Sequence, residues 1–360
     1  MSIDVSSAHT VEVGYDEFCG ALAAHDLQAL WSLQRKIMPD VPLPSTVPWL
    51  WKWDTVLPLA KRAGEIITIE RGGDRRVLAL ANPGLNGLPF TSTTLWGAVQ
   101  FLGPGESAPA HRHTPSAIRF VMAGSSVYTT VDGDACEMEA GDLVLTPNWK
   151  WHDHNNYGDE PMVWFDGLDL PLMVSLESIF FENHPDLTQE VRGHNLSEQL
   201  YSGQGVAPTG GDRDPLTSPL LRYSRANTVR QLEALHAANG GHQVTMEYLN
   251  PATGGPAIRT FSSEMTRLYP GARTPTTRTT GSSVYVVFSG SGRTVMNGTA
   301  YEWGPGDTFV VPSWAAVDHE ANEEADMFVI SDRPVLEAFR LFKRIEEPGH
   351  QAVGETFEPR

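Results

Sequence analysis

The residues with the clearest chemistry are three histidines at fixed distances from two glycines. Gly105 is followed after five residues by His111-x-His113; downstream, Gly141 is followed after five by Pro147, then by His152 and Asn156. On a β-strand alternate side chains share a face, so His111 and His113 point together into one cavity. A third imidazole, His152, arriving from a neighbouring strand completes a facial site for a first-row divalent metal. Three neutral imidazoles leave Fe(II), or a similar ion, its full positive charge and several open positions. That suits a bidentate anionic substrate together with dioxygen. Zinc hydrolysis, with water as the open ligand, is the competing chemistry.

Other residues stand where they can serve such a site. His154 follows His152 by two positions and faces the same interior, as an acid/base or dioxygen-stabilising group or as a hydrogen-bonded wall. Arg119 interrupts the apolar run Ala117, Ile118, Phe120, Val121. A guanidinium fork there is the natural partner of a substrate carboxylate; a snorkelling edge arginine is the bland alternative. Trp96, Ala98 and Gln100 share one strand face and, if it is inward, offer walls for a planar ring. Arg75 and Arg76 can supply a second guanidinium or lie in solvent. Asp166 can orient a histidine, accept a hydroxyl proton, or simply occupy a turn before Gly167.

These side chains need short strands to place them. The 360 residues include 33 glycines and 26 prolines, favouring an all-β protein with many turns, and the length allows two domains. Strand patterns run Thr94 to Leu102, Ala117 to Met122, Val127 to Val131 and Leu143 to Thr146, with a hairpin turn at Val131-Asp-Gly-Asp134. Helical spacing appears from Tyr15 to Lys36, near Thr55 to Ala63 and from Thr228 to Asn239. Trp49, Trp51 and Trp53 read as packing or as an aromatic patch meeting another subunit. The polar, glycine-rich stretch Asn183 to Asp214 reads as a linker or wrapping loop.

The formal charge of −18 argues against nucleic acid or an anionic membrane as partner. A regulator would need a DNA-binding module, and neither a basic patch nor a convincing recognition helix is present. Cys19 and Cys136 are too few for a disulfide framework. The first residues lack the features of a signal peptide, and no apolar run is long enough to span a membrane. A soluble cytoplasmic protein is expected.

An internal repeat organises the chain. Tyr269 to Gly292 lines up with Gly103 to Ser126, and Gly306 to Trp314 with Gly141 to Trp149. Thr277 and Thr279 then hold the places of His111 and His113, and Val317 that of His152. The turn residues persist while the ligands are lost, so only the first copy is expected to bind metal. His319 aligns with His154 and reads as structural. The expected organisation is a helical arm with leading strands (1–90), a metal-binding barrel (91–180), a linker or wrapping segment (181–250), a metal-free barrel (251–345) and a tail (346–360).

The glycine, proline and histidine spacings are those of the two cupin motifs. APAHRHTPSAIRFVMAG, WHDHNNYGDEPMVWFDGLDLPL and RGGDRRVLALANPGL together resemble gentisate 1,2-dioxygenase, a bicupin family related to the salicylate and 1-hydroxy-2-naphthoate dioxygenases. The likeness runs from about Val47 to Phe342. In many cupins a glutamate follows the His-x-His pair as a fourth ligand; Ala117 stands there, leaving room for a chelating anion. The resemblance implies two jelly-roll barrels with a short helical N-terminal arm and one Fe(II) per chain on His111, His113 and His152. It implies that an aromatic hydroxy acid chelates through carboxylate and phenolic oxygen, that O2 binds beside it, and that gentisate opens to maleylpyruvate. Arg119, Arg75, Gln100 and Trp96, with Ala98 shaping the pocket, match positions at the carboxylate and ring. His154 and Asp166 match positions near the phenolic oxygens and dioxygen. A homotetramer is also implied. Salicylate or a substituted salicylate is the alternative substrate; a zinc hydrolase or isomerase and a non-catalytic binding cupin are the alternatives in kind.

Overall fold

The computed structural model describes residues 5–67, 76–203, 206, 208–210 and 217–359. The chain forms two compact units, Met1–Leu43 and Pro44–Arg360.

In the first unit, helices run Val5–Ala23 and Leu30–Ile37. The single helix expected from Tyr15 to Lys36 is broken because Asp26 takes left-handed backbone (φ 55°). The Leu27 N–H donates to the Leu22 carbonyl (2.9 Å) and the Asp26 N–H to that of Ala23 (3.2 Å), which is the bond pair of a Schellman cap. Phe18 and Trp31 stack (6.4 Å between centroids, planes 6° apart), and Trp31 Nε1 donates to Tyr15 Oη (3.0 Å).

The second unit holds four six-stranded, mostly antiparallel sheets among the described residues, two to each barrel. In the leading barrel one sheet runs Arg222–Tyr223, Leu143–Thr146, Ala117–Ala123, Met162–Leu168, Trp96–Leu102, Val77–Ala79. The other runs Phe181–Asn183, Ser107–His113, His152–Asn156, Val127–Val131, Asp134–Met138, Gly193–His194. The trailing barrel repeats this order with strands between Trp49 and Thr356. The bicupin, mostly β architecture is therefore as expected.

Strand alternation divides the side chains. In Ala117–Ala123, Ala117 and Arg119 face the barrel cavity, whereas Ile118 and Phe120 join an apolar core shared with Phe328 and Ile330 of the trailing barrel. Phe120 and Phe328 stack there at 4.3 Å with planes 2° apart. The barrels also exchange strands. Trp49–Trp51 pairs with Thr308–Val311 of the trailing barrel, and Arg222–Tyr223 pairs with Leu143–Thr146 of the leading one. Trp49 and Trp51 are half-buried in that strand and pack against the shared core. Trp53 opens the helix Trp53–Ile66 beside Gly306 (φ 86°), where a Cβ would lie 2.2 Å from the indole.

Reciprocal hydrogen bonds lock the exchange. Asp169 accepts from Ser116 N (2.8 Å) and, across the interface, from Thr260 Oγ1 (2.5 Å). Asp332 accepts from Ser282 N (2.9 Å) and, in the opposite direction, from Thr94 Oγ1 (2.6 Å). Within the stretch 181–250, expected as a linker or wrapping segment, several described segments pair with the barrel sheets. Phe181–Asn183 and Gly193–His194 extend the leading sheets, and Gln243–Glu247 pairs with Ser262–Leu268 in the trailing one. Backbone groups in such short segments are satisfied by pairing at sheet edges, which no local pattern announces. No helix among the described residues is long and apolar enough to cross a membrane.

Candidate metal centre

His111 and His113 leave the strand Ser107–His113 on the same side, and His152 opens the adjacent strand His152–Asn156, directly opposite His111. A register shift between Ala108 and His111 is the bulge that re-aims the pair. The ring centroids of His152 lie 4.3 Å from His111 and 4.8 Å from His113. Each ring is anchored in one way. The Nδ1–H of His111 donates to the Pro109 carbonyl (2.9 Å), that of His113 to Pro115 (2.7 Å) and that of His152 to Lys150 (2.9 Å). A carbonyl only accepts, so all three carry their proton on Nδ1 and turn Nε2 lone pairs toward one another.

The ligand atoms of the three lie within 4.8 Å of one another, the one such group among the described residues. His152 Nε2 is buried with no hydrogen-bond partner. Burial, then mutual repulsion with its neighbours, pushes His113 down to about 4 and holds His152 well below the usual imidazole range. Neutral, preoriented and converging on a point, these rings fit a divalent ion.

The triad lies beside a cavity of about 310 Å³. Trp96, Gln100, Arg119, His154 and Asp166 line it, with Ala117 on its floor. Arg119 is buried; its Nη1 donates to Thr146 Oγ1 (2.7 Å) and its Nε lies 3.5 Å from Asp166 Oδ1 without a hydrogen bond of its own. Trp164 Nε1 donates to that same Asp166 oxygen (3.0 Å). Burial raises Asp166 to about 6 despite the opposing pull of Arg119. The Thr129 hydroxyl donates to Met138 Sδ (3.1 Å), so its oxygen accepts from His154 Nδ1–H (2.8 Å) and His154 Nε2 is left as an acceptor. Burial holds His154 well below its usual range as well.

Residues 98–170 match the Cupin domain family. A gentisate 1,2-dioxygenase of Streptomyces is 42% identical over 94% of this chain and 97% of its own. The chain belongs to the gentisate 1,2-dioxygenase family. A 5-aminosalicylate 1,2-dioxygenase of Comamonas is 39% identical over 94% of this chain and 92% of its own. A mutant salicylate 1,2-dioxygenase of Pseudoaminobacter salicylatoxidans, solved in complex with gentisate, superposes with a TM-score of 0.89 at 38% identity, covering 93% of this chain and 95% of that one. The family is one of ring-cleaving dioxygenases, as the sequence motifs implied.

Within this gentisate dioxygenase-like frame the expected residues separate. His111, His113, His152, His154, Arg119, Asp166, Gln100 and Trp96 come together. Ala98 does not reach the cavity: it is fully buried, paired with Asp166, and absent from the walls. Arg76 is committed elsewhere, bonded to Glu106 and to the Gly64 carbonyl. Arg75 lies outside the described residues. Missed altogether was the mouth, formed by Val77, Leu168, Leu170, Ile179, Phe180 and Phe181. The run Ile179-Phe180-Phe181, apolar within a polar stretch, was the available signal.

Proposed function

We propose that this chain opens gentisate with O2 between the carboxylate-bearing carbon and its hydroxylated neighbour, giving maleylpyruvate with both oxygen atoms retained. His111, His113 and His152 of the leading barrel hold one Fe(II) per chain, and the trailing barrel holds none because Thr277, Thr279 and Val317 replace them. The observation that carries this reading is the set of three Nδ1-anchored imidazoles beside a cavity whose buried cation is Arg119. When bound, a ferrous ion supplies positive charge for the chelating oxygens and the one-electron chemistry that lets an arene react with dioxygen.

The side chains do the rest. Arg119 takes the substrate carboxylate through donors not used by Thr146. Trp96 and Gln100 bound the ring face and edge, and Ala98 keeps the wall thin behind them. Arg75 provides a second guanidinium. His154 Nε2 accepts the phenolic proton, and Asp166 fixes the guanidinium and receives a hydroxyl proton. The apolar mouth excludes bulk water, strengthening each of these contacts. The enzyme works in the cytoplasm as a homotetramer; the exposed Tyr15, Phe18 and Trp31 of the N-terminal unit suit a subunit contact.

A monohydroxylated substrate is the second reading, favoured by the relatives named for salicylate and 5-aminosalicylate. Anaerobic loading with Fe(II), followed by oxygen uptake and ultraviolet spectra, tests both. Gentisate should be turned over faster than salicylate, 5-aminosalicylate and 1-hydroxy-2-naphthoate. Faster salicylate cleavage would reverse the substrate assignment. Activity restored by zinc without oxygen uptake would remove the dioxygenase reading.

A further inference from the structure

The trailing barrel has lost the histidine triad but kept a cavity, of about 420 Å³. Its walls correspond place by place to those of the leading site, and the chemistry is reversed. Thr277 and Thr279 replace His111 and His113, Ser283 replaces Ala117, Tyr285 replaces Arg119, and Thr266 replaces Gln100. Glu264 stands where Ala98 does. At the mouth Thr245, Ser331, Arg333 and Arg344 take the places of Val77, Leu168, Leu170 and Phe181.

A barrel released from metal binding could have closed over apolar side chains, because filling a void is favourable. Here it carries hydroxyls and charges that cost free energy to bury without partners. Glu264 pairs with Arg333 (3.2 Å), which also reaches Glu247 (2.7 Å), so carboxylates and guanidiniums balance and the wall selects no net charge. The hydroxyls of Thr277, Ser283 and Tyr285 have no hydrogen-bond partner among the described residues, yet line the same space. Thr294 Oγ1 accepts from Trp303 Nε1 (3.0 Å) and lies 2.8 Å from His319 Nδ1, steering the His319 ring toward the cavity.

From this we infer that the trailing barrel is a second binding site, for a small, uncharged, polyhydroxylated molecule of the size of a cyclitol or monosaccharide. Paired hydroxyls, a carboxylate and guanidiniums match vicinal diols, and Tyr285 with Phe342 offers the apolar faces such rings also present. A flat aromatic acid finds no counterpart here to the buried Arg119 of the leading barrel, since Tyr285 stands in its place. The inference is independent of the reading of the leading barrel.

The test is calorimetry and saturation-transfer NMR on the full chain with myo-inositol, glucose, gentisate and fumarate as probes. Saturable binding of a neutral polyol at one site per chain is expected. It should weaken tenfold or more in Glu264→Gln and in Thr266→Val, stay unchanged in His113→Ala, and leave gentisate cleavage normal in the first two variants. Binding that ignores both wall substitutions, competition by gentisate, or no saturable binding of either polyol would overturn the assignment.

Discussion

The two barrels share their bracing and differ in their chemistry. Between His111 and His113, Arg112 turns outward to bond Glu182 (2.8 Å) and lies 4.4 Å from both Trp149 and Trp151. Between Thr277 and Thr279, Arg278 turns outward in the same way to bond Glu347 (2.5 Å). Trp149 and Trp314, at matching places, both take left-handed backbone (φ 60° and 63°) and donate N–H to the carbonyls of His113 and Thr279. The Thr129–His154 contact and the Thr294–His319 contact are each 2.8 Å. Features kept by a barrel without the triad serve the scaffold. The hydrogen bond that orients His154 is therefore inherited bracing, and any role in the reaction comes from its standing two residues from His152.

The strongest way to break this contrast is to remove a histidine from each side. His113→Ala should lose metal, measured by elemental analysis, and oxygen uptake with it. The loss should exceed the roughly 10- to 100-fold that an outer-shell change costs. His319→Ala should keep both. Equal damage from the two would sink the assignment of chemistry to the leading barrel alone.

The interface offers the opposite test, one in which the halves should behave alike. Burial raises Asp169 and Asp332 from 3.8 to about 6, against the pull of their hydrogen-bond donors. The folded state thus binds protons that the unfolded chain has released between pH 3.8 and about 6. The stability these groups contribute is complete at the acid end of that window and is lost as pH rises through about 6. Melting temperatures of Asp169→Asn and Asp332→Asn against the parent should show the parent's relative stability falling across the window, by roughly 2–3 kcal/mol per group. A large slope for one and none for the other would show that the reciprocal bonds are not equivalent.

Back in the leading cavity, Arg119→Met keeps the volume and removes the charge. Losing a hydrogen-bonded ion pair with a carboxylate is worth about 1.5–3 kcal/mol, so KM for gentisate should rise about 10- to 100-fold while metal content stays normal. An unchanged KM would take Arg119 out of the substrate site.

Much of this was legible in the chain because it rests on local rules. His111-x-His113 needs only the two-residue period of a strand, and the Gly141 and Gly306 turns mark the repeat by themselves. What escaped depends on distant pairing. Phe181–Asn183 is a strand only because Ser107–His113 lies beside it, and nothing near Trp49 says that its partner is Val310. Alternation correctly put Ala98 on the inner face with Gln100, but a side chain that short ends before the cavity begins. The helix break at Asp26 needed a left-handed residue that is not glycine, which composition does not flag.

The finest test of the contrast converts one wall position to its trailing counterpart. Thr146 pairs with Ala117 as Val311 pairs with Ser283, so Thr146→Val makes the two barrels alike at that place. Valine has nearly the shape of threonine, and the change removes chiefly the oxygen that accepts from Arg119 Nη1 (2.7 Å). The guanidinium keeps Asp166 on its other side, so it stays in the cavity but is less firmly aimed. A neutral acceptor lost in this way is worth about 0.5–1.5 kcal/mol. KM for gentisate should therefore rise less than in Arg119→Met, with kcat and iron content nearly unchanged. A fall in kcat at constant KM would instead mean that Thr146 acts on the reacting atoms and not through the carboxylate grip.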